Sequence, residues 1–391
     1  MPTERTDQER LLEQRYNAAK SNRDAMIKRA MIDLLYYAGE QMSYFRPGTN
    51  TLLRPESDKI VDDLSSFNAK RTFYITVNKI KPAVDVAVSL LVQRDPTLFL
   101  VPKSESDKSR NVAKAGTDLL DSYKKRGKYQ VKDLENATWT VVTGTGYKWV
   151  HPVIIDSVEV PDPKDKNKKI DEPTESDVVC TILSPFEFMG CPGIRDVDEK
   201  MPWCWVEKYC PRQETNDRFD LKLEEASSSE ISEFAKNVNM MSGETRYDQV
   251  LVKEYFEAPS KKNPRGYHAV MVEDKIVDSG DHPNWNKNKD GKEVWGGYRI
   301  TKYIYNDNLI SHWGSGLPRT VISIQKMINL LRTMHVTNRV LTLIYKIFID
   351  GNMKHTEKLL SNFPEIITLK TIGQQLPQVM TPPTIPPDVN Q

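Results

Sequence analysis

The chain has 391 residues, 38% hydrophobic and 28% charged, which is the balance of a globular protein with room for two or three domains and a sizeable core. Its 55 basic and 54 acidic residues leave a formal charge of +1, which excludes a protein that holds nucleic acid by bulk positive charge; any such contact must come from local patches. Cys180, Cys191, Cys204 and Cys210 form no C-x-x-C pair and have no histidine between them, so they read as reduced core thiols rather than zinc ligands. The charged N-terminus has no apolar leader core, and no run of 18 uncharged apolar residues occurs, which argues against secretion and membrane spanning.

In chain order, residues 6–40 carry apolar positions at three- and four-residue steps from Leu11 to Leu35 and predict a helix that Gly39 caps. Residues 46–50 read as a turn, with a polar connection up to Phe67. A second helix is expected over 83–93, stopped by Asp95-Pro96, with a short extended piece at 98–101. Two more helices follow over 104–125 and 131–142. Thr143-Gly144-Thr145-Gly146 then turns the chain into β text: strands at 147–155 and 178–183 around a charged loop at 161–173, and further strands at 184–188, 203–209 and 250–256. Residues 266–272 and 275–278 read as a hairpin. Between these strands, 212–243 is polar and helical in character, and 281–297 is a polar loop holding Trp285 and Trp295.

Residues 308–351 stand apart. After the turn Trp313-Gly314-Ser315-Gly316-Leu317-Pro318, residues 319–349 contain no proline, glycine or acidic residue, and as one helix they would extend roughly 46 Å. Their cations, Arg319, Lys326, Arg332, Arg339 and Lys346, are spaced seven, six, seven and seven apart and are expected close to one face. A helix apolar on its other faces needs neighbours on both flanks and something anionic or aqueous in front.

Motifs for chemistry are thin. No Walker-type phosphate loop, dinucleotide fingerprint, G-x-S-x-G elbow or H-x-x-x-H spacing is present, and no carboxylate pair is singled out for acid and base work. The expectation is a protein that is not an enzyme and takes no cofactor or metal.

The order of short motifs resembles the portal proteins of tailed bacteriophages, the head-to-tail connectors. The resemblance runs from about residue 30 onward: Tyr36 to Gln41 is similar to an early helix ending in G-x-Q; Asn78-Lys79-Ile80, Arg94-Asp95-Pro96 and Val101-Pro102 precede a helix with Asp107 and Ala113. Val142 to Tyr147 matches a G-x-G turn before wing strands, and Ser184-Pro185 to Phe188, with Asp196, looks like an S-P-x-x-F segment. Finally Trp313 to Gly316, Gln325 and Asn329 stand where portals carry a G-x-G turn and a Q-x-x-x-N helix.

That resemblance implies an α+β ring-forming subunit: residues 1–280 as wing, helical to about 142 and mainly β from about 147; 281–312 as clip; 313–350 as stem helix; and 351–391 approaching the tunnel loop, where the expected lack of the family's later wing helix and crown is a departure from its pattern. It implies a virion protein, assembled in the host cytoplasm into a twelve-subunit ring at the capsid vertex. Double-stranded DNA would be packaged and ejected through that ring, with the terminase large subunit, a head-tail adaptor and the major capsid protein as partners and no membrane. Arg319, Lys326, Arg332, Arg339 and Lys346 would line the DNA channel, and Trp285, Lys287, Lys289, Trp295 and Arg299 would dock partners through the clip. Alternatives stand beside these assignments: the cations could pair with acids or reach water along their stems, and the tryptophans could pack within a small β module. A different virion or adaptor protein that binds partners without conducting DNA is the alternative function.

Overall fold

The computed structural model describes residues 7–45, 52–53, 75–93, 99–161, 169–197, 201–219, 221, 249–272, 274–287, 292–309, 311–343, 346–350, 365–369 and 378–380. It is a mixed α+β chain in two units, Met1–Ala38 with Ile80–Val321, and Gly39–Lys79 with Ile322–Gln391. The expected turn at 46–50, the Asp95-Pro96 stop, the tip of the 161–173 loop, most of 212–243, Lys289 and most of 351–391 lie outside the described residues.

Helix α1, Asp7–Ala38, buries Leu12, Tyr16, Ala19, Ile27, Ala30, Met31 and Leu35 along the predicted stripe. Gly39 follows at φ +97°, the left-handed conformation that glycine adopts without cost after a helix. Strands β1, Tyr44–Phe45, and β2, Leu52–Leu53, form a small antiparallel pair in the second unit. Helices α2, Ile80–Val92, α3, Asp107–Arg126, and α4, Tyr129–Thr143, follow. Helix α2 starts three residues before its predicted position because Pro82 is tolerated in the first turn, where the missing amide would have no partner.

Strands β3, Thr145–Pro161, and β4, Lys169–Leu183, make a hairpin longer than expected, paired from Tyr147↔Leu183 to Pro161↔Lys169. Residues 184–187 are a turn rather than the predicted strand: Glu187 N–H donates to Ser184 O at 3.0 Å, and the Glu187 carboxylate accepts from Ser184 N–H and Oγ. Only β5, Phe188–Gly190, is extended there. An antiparallel meander follows, in the order β5, β6 (Trp203–Pro211), β7 (Gln249–Glu257), β8 (Tyr267–Val272) and β9 (Lys275–Gly280). Helix α5, Arg212–Phe219, follows β6.

The polar loop expected at 281–297 contains its own hairpin, β10 (Trp285–Lys287) with β11 (Glu293–Trp295), in which Trp285 and Trp295 stand opposite one another. Strand β12, Ile300–Ile304, pairs with β3. Residues 281–312 thus lie within the first unit, in continuity with its sheets.

The core of that unit lies between α1 and the meander. Leu12, Tyr16 and Ala19 meet Met189, Trp203, Trp205, Tyr255, Ala269 and Met271. Two polar ties cross this apolar layer: Tyr16 and Arg23 both bond the buried Glu207 carboxylate, and Arg15 reaches Glu257 at 2.8 Å. Arg23 also donates to Phe186 O at 2.7 Å, so the buried charges are paired and hydrogen-bonded.

Helix α6, Leu317–Leu343, is 27 residues long, about 40 Å, and ends before the predicted residue 349. Lys346 is on strand β13, Lys346–Asp350, which pairs parallel to β14, Glu365–Leu369, and antiparallel to β15, Gln378–Met380. The physical reason is local: Ile347-Phe348-Ile349 is β-branched and aromatic text that suits a pleated surface, and a short apolar run carries no period that separates strand from helix.

Candidate functional site: the glycine junction and helix α6

The two glycine turns singled out in the sequence form one structure. Helix α4 ends at Gly144, φ +91°, and a Cβ there would lie 2.5 Å from Gly314 C. A Cβ on Gly314 would meet Gly144 O at 2.3 Å, and one on Gly316 would meet Val142 O at 2.0 Å. The main chains touch, so only glycine fits on either side. Hydrogen bonds tie the contact: Gly314 N–H donates to Thr145 Oγ1 at 2.9 Å, Tyr305 N–H to Gly144 O at 3.1 Å and Ser315 N–H to Asn306 O at 2.9 Å. The junction therefore fixes the root of α6 to the end of α4 and to strands β3 and β12.

Beside it, Tyr147 and His312 bond through the Tyr147 hydroxyl and His312 Nε2 at 2.9 Å, with Phe188 and Trp313 around the rings. Burial, with the Lys302 charge adding to it, pulls the His312 imidazole down to about 4. Lys302 itself is lowered by burial while its ammonium is held by Asp196 and by the carbonyls of Arg195 and His312. These groups are closed on one another, and among the described residues no cluster of three or more His, Cys, Asp or Glu could hold a metal ion.

The cations expected to form one stripe do not. The six-residue step from Lys326 to Arg332 turns through about 240° at about 100° per residue, which sets Arg319 and Lys326 on one flank and Arg332 and Arg339 on the other. Arg319, Lys326 and Arg332 are exposed. Arg319 sits in the first turn and works against the burial that pushes the Asp33 carboxyl up to about 7. The Arg339 side chain lies outside the described residues, and Lys346 belongs to β13.

The other predicted set is partly enclosed. Trp285 donates its indole N–H to Arg265 O at 2.9 Å beneath the Arg265 guanidinium. Trp295 packs edge-on against His282 and Tyr298. Arg299 has φ +55° and its carbonyl accepts from Val150 N–H at 3.0 Å. The Lys287 side chain is outside the described residues.

What the sequence reading missed is the inverted character of α6. Its buried face is polar: Gln325, Asn329 and Thr333 are 2%, 2% and 7% exposed. Its open face is apolar, with Ile324, Met327, Leu330, Leu331 and Met334 each between 52% and 61% exposed. The signal was present as Q-x-x-x-N-x-x-x-T, a four-residue spacing that lines one helix face, but hydrophobicity alone assigns that face to water. Among the described residues no helix is long and apolar enough to cross a membrane. Comparison with protein families and with curated proteins finds no family model and no curated protein that matches this chain.

Proposed function

We propose that this chain is a subunit of a portal-type ring, the capsid-vertex conduit through which a tailed bacteriophage packages and ejects double-stranded DNA, docking terminase and tail adaptors. The observation that carries the reading is the apolar open face of α6. Five large side chains more than half exposed leave on the order of 500 Å² of apolar surface, as large as the largest patch a monomer usually shows.

The other unit also exposes large apolar side chains, Val86, Leu90 and Leu91 on α2, residues 99–101, and Val112 and Leu119 on α3. A two-fold dimer needs one self-complementary face; a ring closed by a head-to-tail contact needs two different ones. Near-neutral net charge suits a conduit, because each phosphate neutralised tightens binding and a conduit must release its cargo. On this reading the subunit performs no catalysis and takes no cofactor; the packaging motor supplies the energy.

The alternative, a virion adaptor that assembles without conducting DNA, draws on the same face, since the surface α6 offers is uncharged and its cations lie on the flanks. Native mass and negative-stain images separate the readings. The expected result is a ring with a central channel, converted to single chains by Met327→Asp with Leu331→Asp, while the unfolding midpoint of the chain holds. A monodisperse monomer at high concentration, or a closed dimer, overturns the portal reading.

A further inference from the structure

We propose that Gln325, Asn329 and Thr333 form a clasp for extended main chain, closed on residues 75–79 and opening as a single step. Three side-chain oxygens on α6 accept from three alternate amides: Lys79 N–H to Gln325 Oε1, Val77 N–H to Asn329 Oδ1 and Ile75 N–H to Thr333 Oγ1, each at 3.1 Å. All belong to the second unit. Residues 75–79 form no strand, so side chains of a helix do here what a neighbouring strand does in a sheet.

The spacing explains why such a clasp works and why it is short. Four residues of helix rise about 6.0 Å, and two residues of extended chain span about 6.6 Å. The mismatch is about 0.6 Å per rung, which three rungs absorb within ordinary hydrogen-bond lengths. A shift of α6 by less than a full rung breaks all three bonds together.

The rungs are also tied to one another. Gln325 Nε2 donates to Val77 O at 2.7 Å and to Asn329 Oδ1 at 2.9 Å; Asn329 Nδ2 donates to Gln41 Oε1 at 2.6 Å; and Gln41 Nε2 donates to Asn78 Oδ1 at 3.0 Å. The side-chain amide oxygens of Gln325, Asn329 and Gln41 each meet an N–H and their nitrogens each an oxygen, so these three orientations are mutually determined. Asn329 is shared by Val77, Gln325 and Gln41, and its loss weakens neighbours on both sides. Every member is neutral, so the clasp does not respond to pH or screening.

The clasp does not depend on the ring reading and is measured on the full chain in any oligomeric state. Hydrogen exchange resolved to single amides is expected to show Ile75, Val77 and Lys79 protected to a common degree. Asn329→Ala, which favours helix, is expected to speed all three by roughly ten- to hundredfold, the range for loss of one buried hydrogen-bond partner. Ile324→Ser on the open face leaves them unchanged. Thr333→Val, close in shape, is expected to speed the same three if Asn329→Ala does not fold. Acceleration limited to the amide facing the substituted residue, or exchange of all three at the open-chain rate in the wild type, overturns the clasp.

Discussion

Glu207 is 7% exposed, and its carboxylate takes the Tyr16 hydroxyl and the Arg23 guanidinium together. The Tyr16 hydroxyl is pushed well up, by burial first and by the Glu207 charge second, so it remains a donor throughout the accessible range. Glu207→Ala leaves the Arg23 charge buried without its carboxylate and is expected to cost about 3–5 kcal/mol, read as a lower urea midpoint. Arg23→Met with Glu207→Leu is expected to recover most of that loss, because replacing both partners removes the stranded charge. This tie was illegible in the sequence: Arg23 and Glu207 are 184 positions apart, and only the packing of α1 on β6 selects them among the acids and bases.

At the scale of elements, the junction of α4 and α6 rests on main-chain contact, so its glycines are not interchangeable with other residues. Gly316→Ala sets a Cβ 2.0 Å from Val142 O and is expected to cost about 1–3 kcal/mol through displacement of the first turn of α6 from the end of α4. Gly280→Ala is the control: nothing lies within 4 Å of a Cβ there, and the denaturation midpoint should hold. Both turns were legible as turns from their glycines, and β3, β6 and β7 from alternating or continuous apolar text. That the two turns touch was not legible, since neither carries a side chain that names its partner. The strand at 184–188 failed because Ser184 and Glu187 bond within their own turn, a local competition that residue preference does not weigh.

Across the whole molecule, burial of histidines is expected to govern the acid response. His282 and His312 are each pulled down to about 4, chiefly by burial, whereas an unfolded imidazole titrates near ~6.5. Between those values these two imidazoles bind more protons in the unfolded chain, so their contribution to stability falls as pH drops from about 6.5 to about 4 and is constant below that. Asp33 acts in the opposite sense: burial lifts its carboxyl to about 7, so its contribution declines as pH rises from about 4 to about 7. The thermal midpoint is therefore expected to fall below pH 6.5, and His282→Gln with His312→Gln to flatten or reverse that slope. An unchanged slope in the double variant would assign the acid response to other groups.

The sequence by itself determined the helical N-terminal part, the change to β text after Gly146, the balanced charge and the long acid-free helix, because each depends on neighbours within a few residues. Only the tertiary structure decided how that helix is used. Its polar residues, which local hydrophobicity assigns to water, turn inward because the amides of residues 75–79 need acceptors that no strand among the described residues supplies. The apolar side chains opposite them are left open as a consequence, and the cations fall on two flanks instead of one stripe.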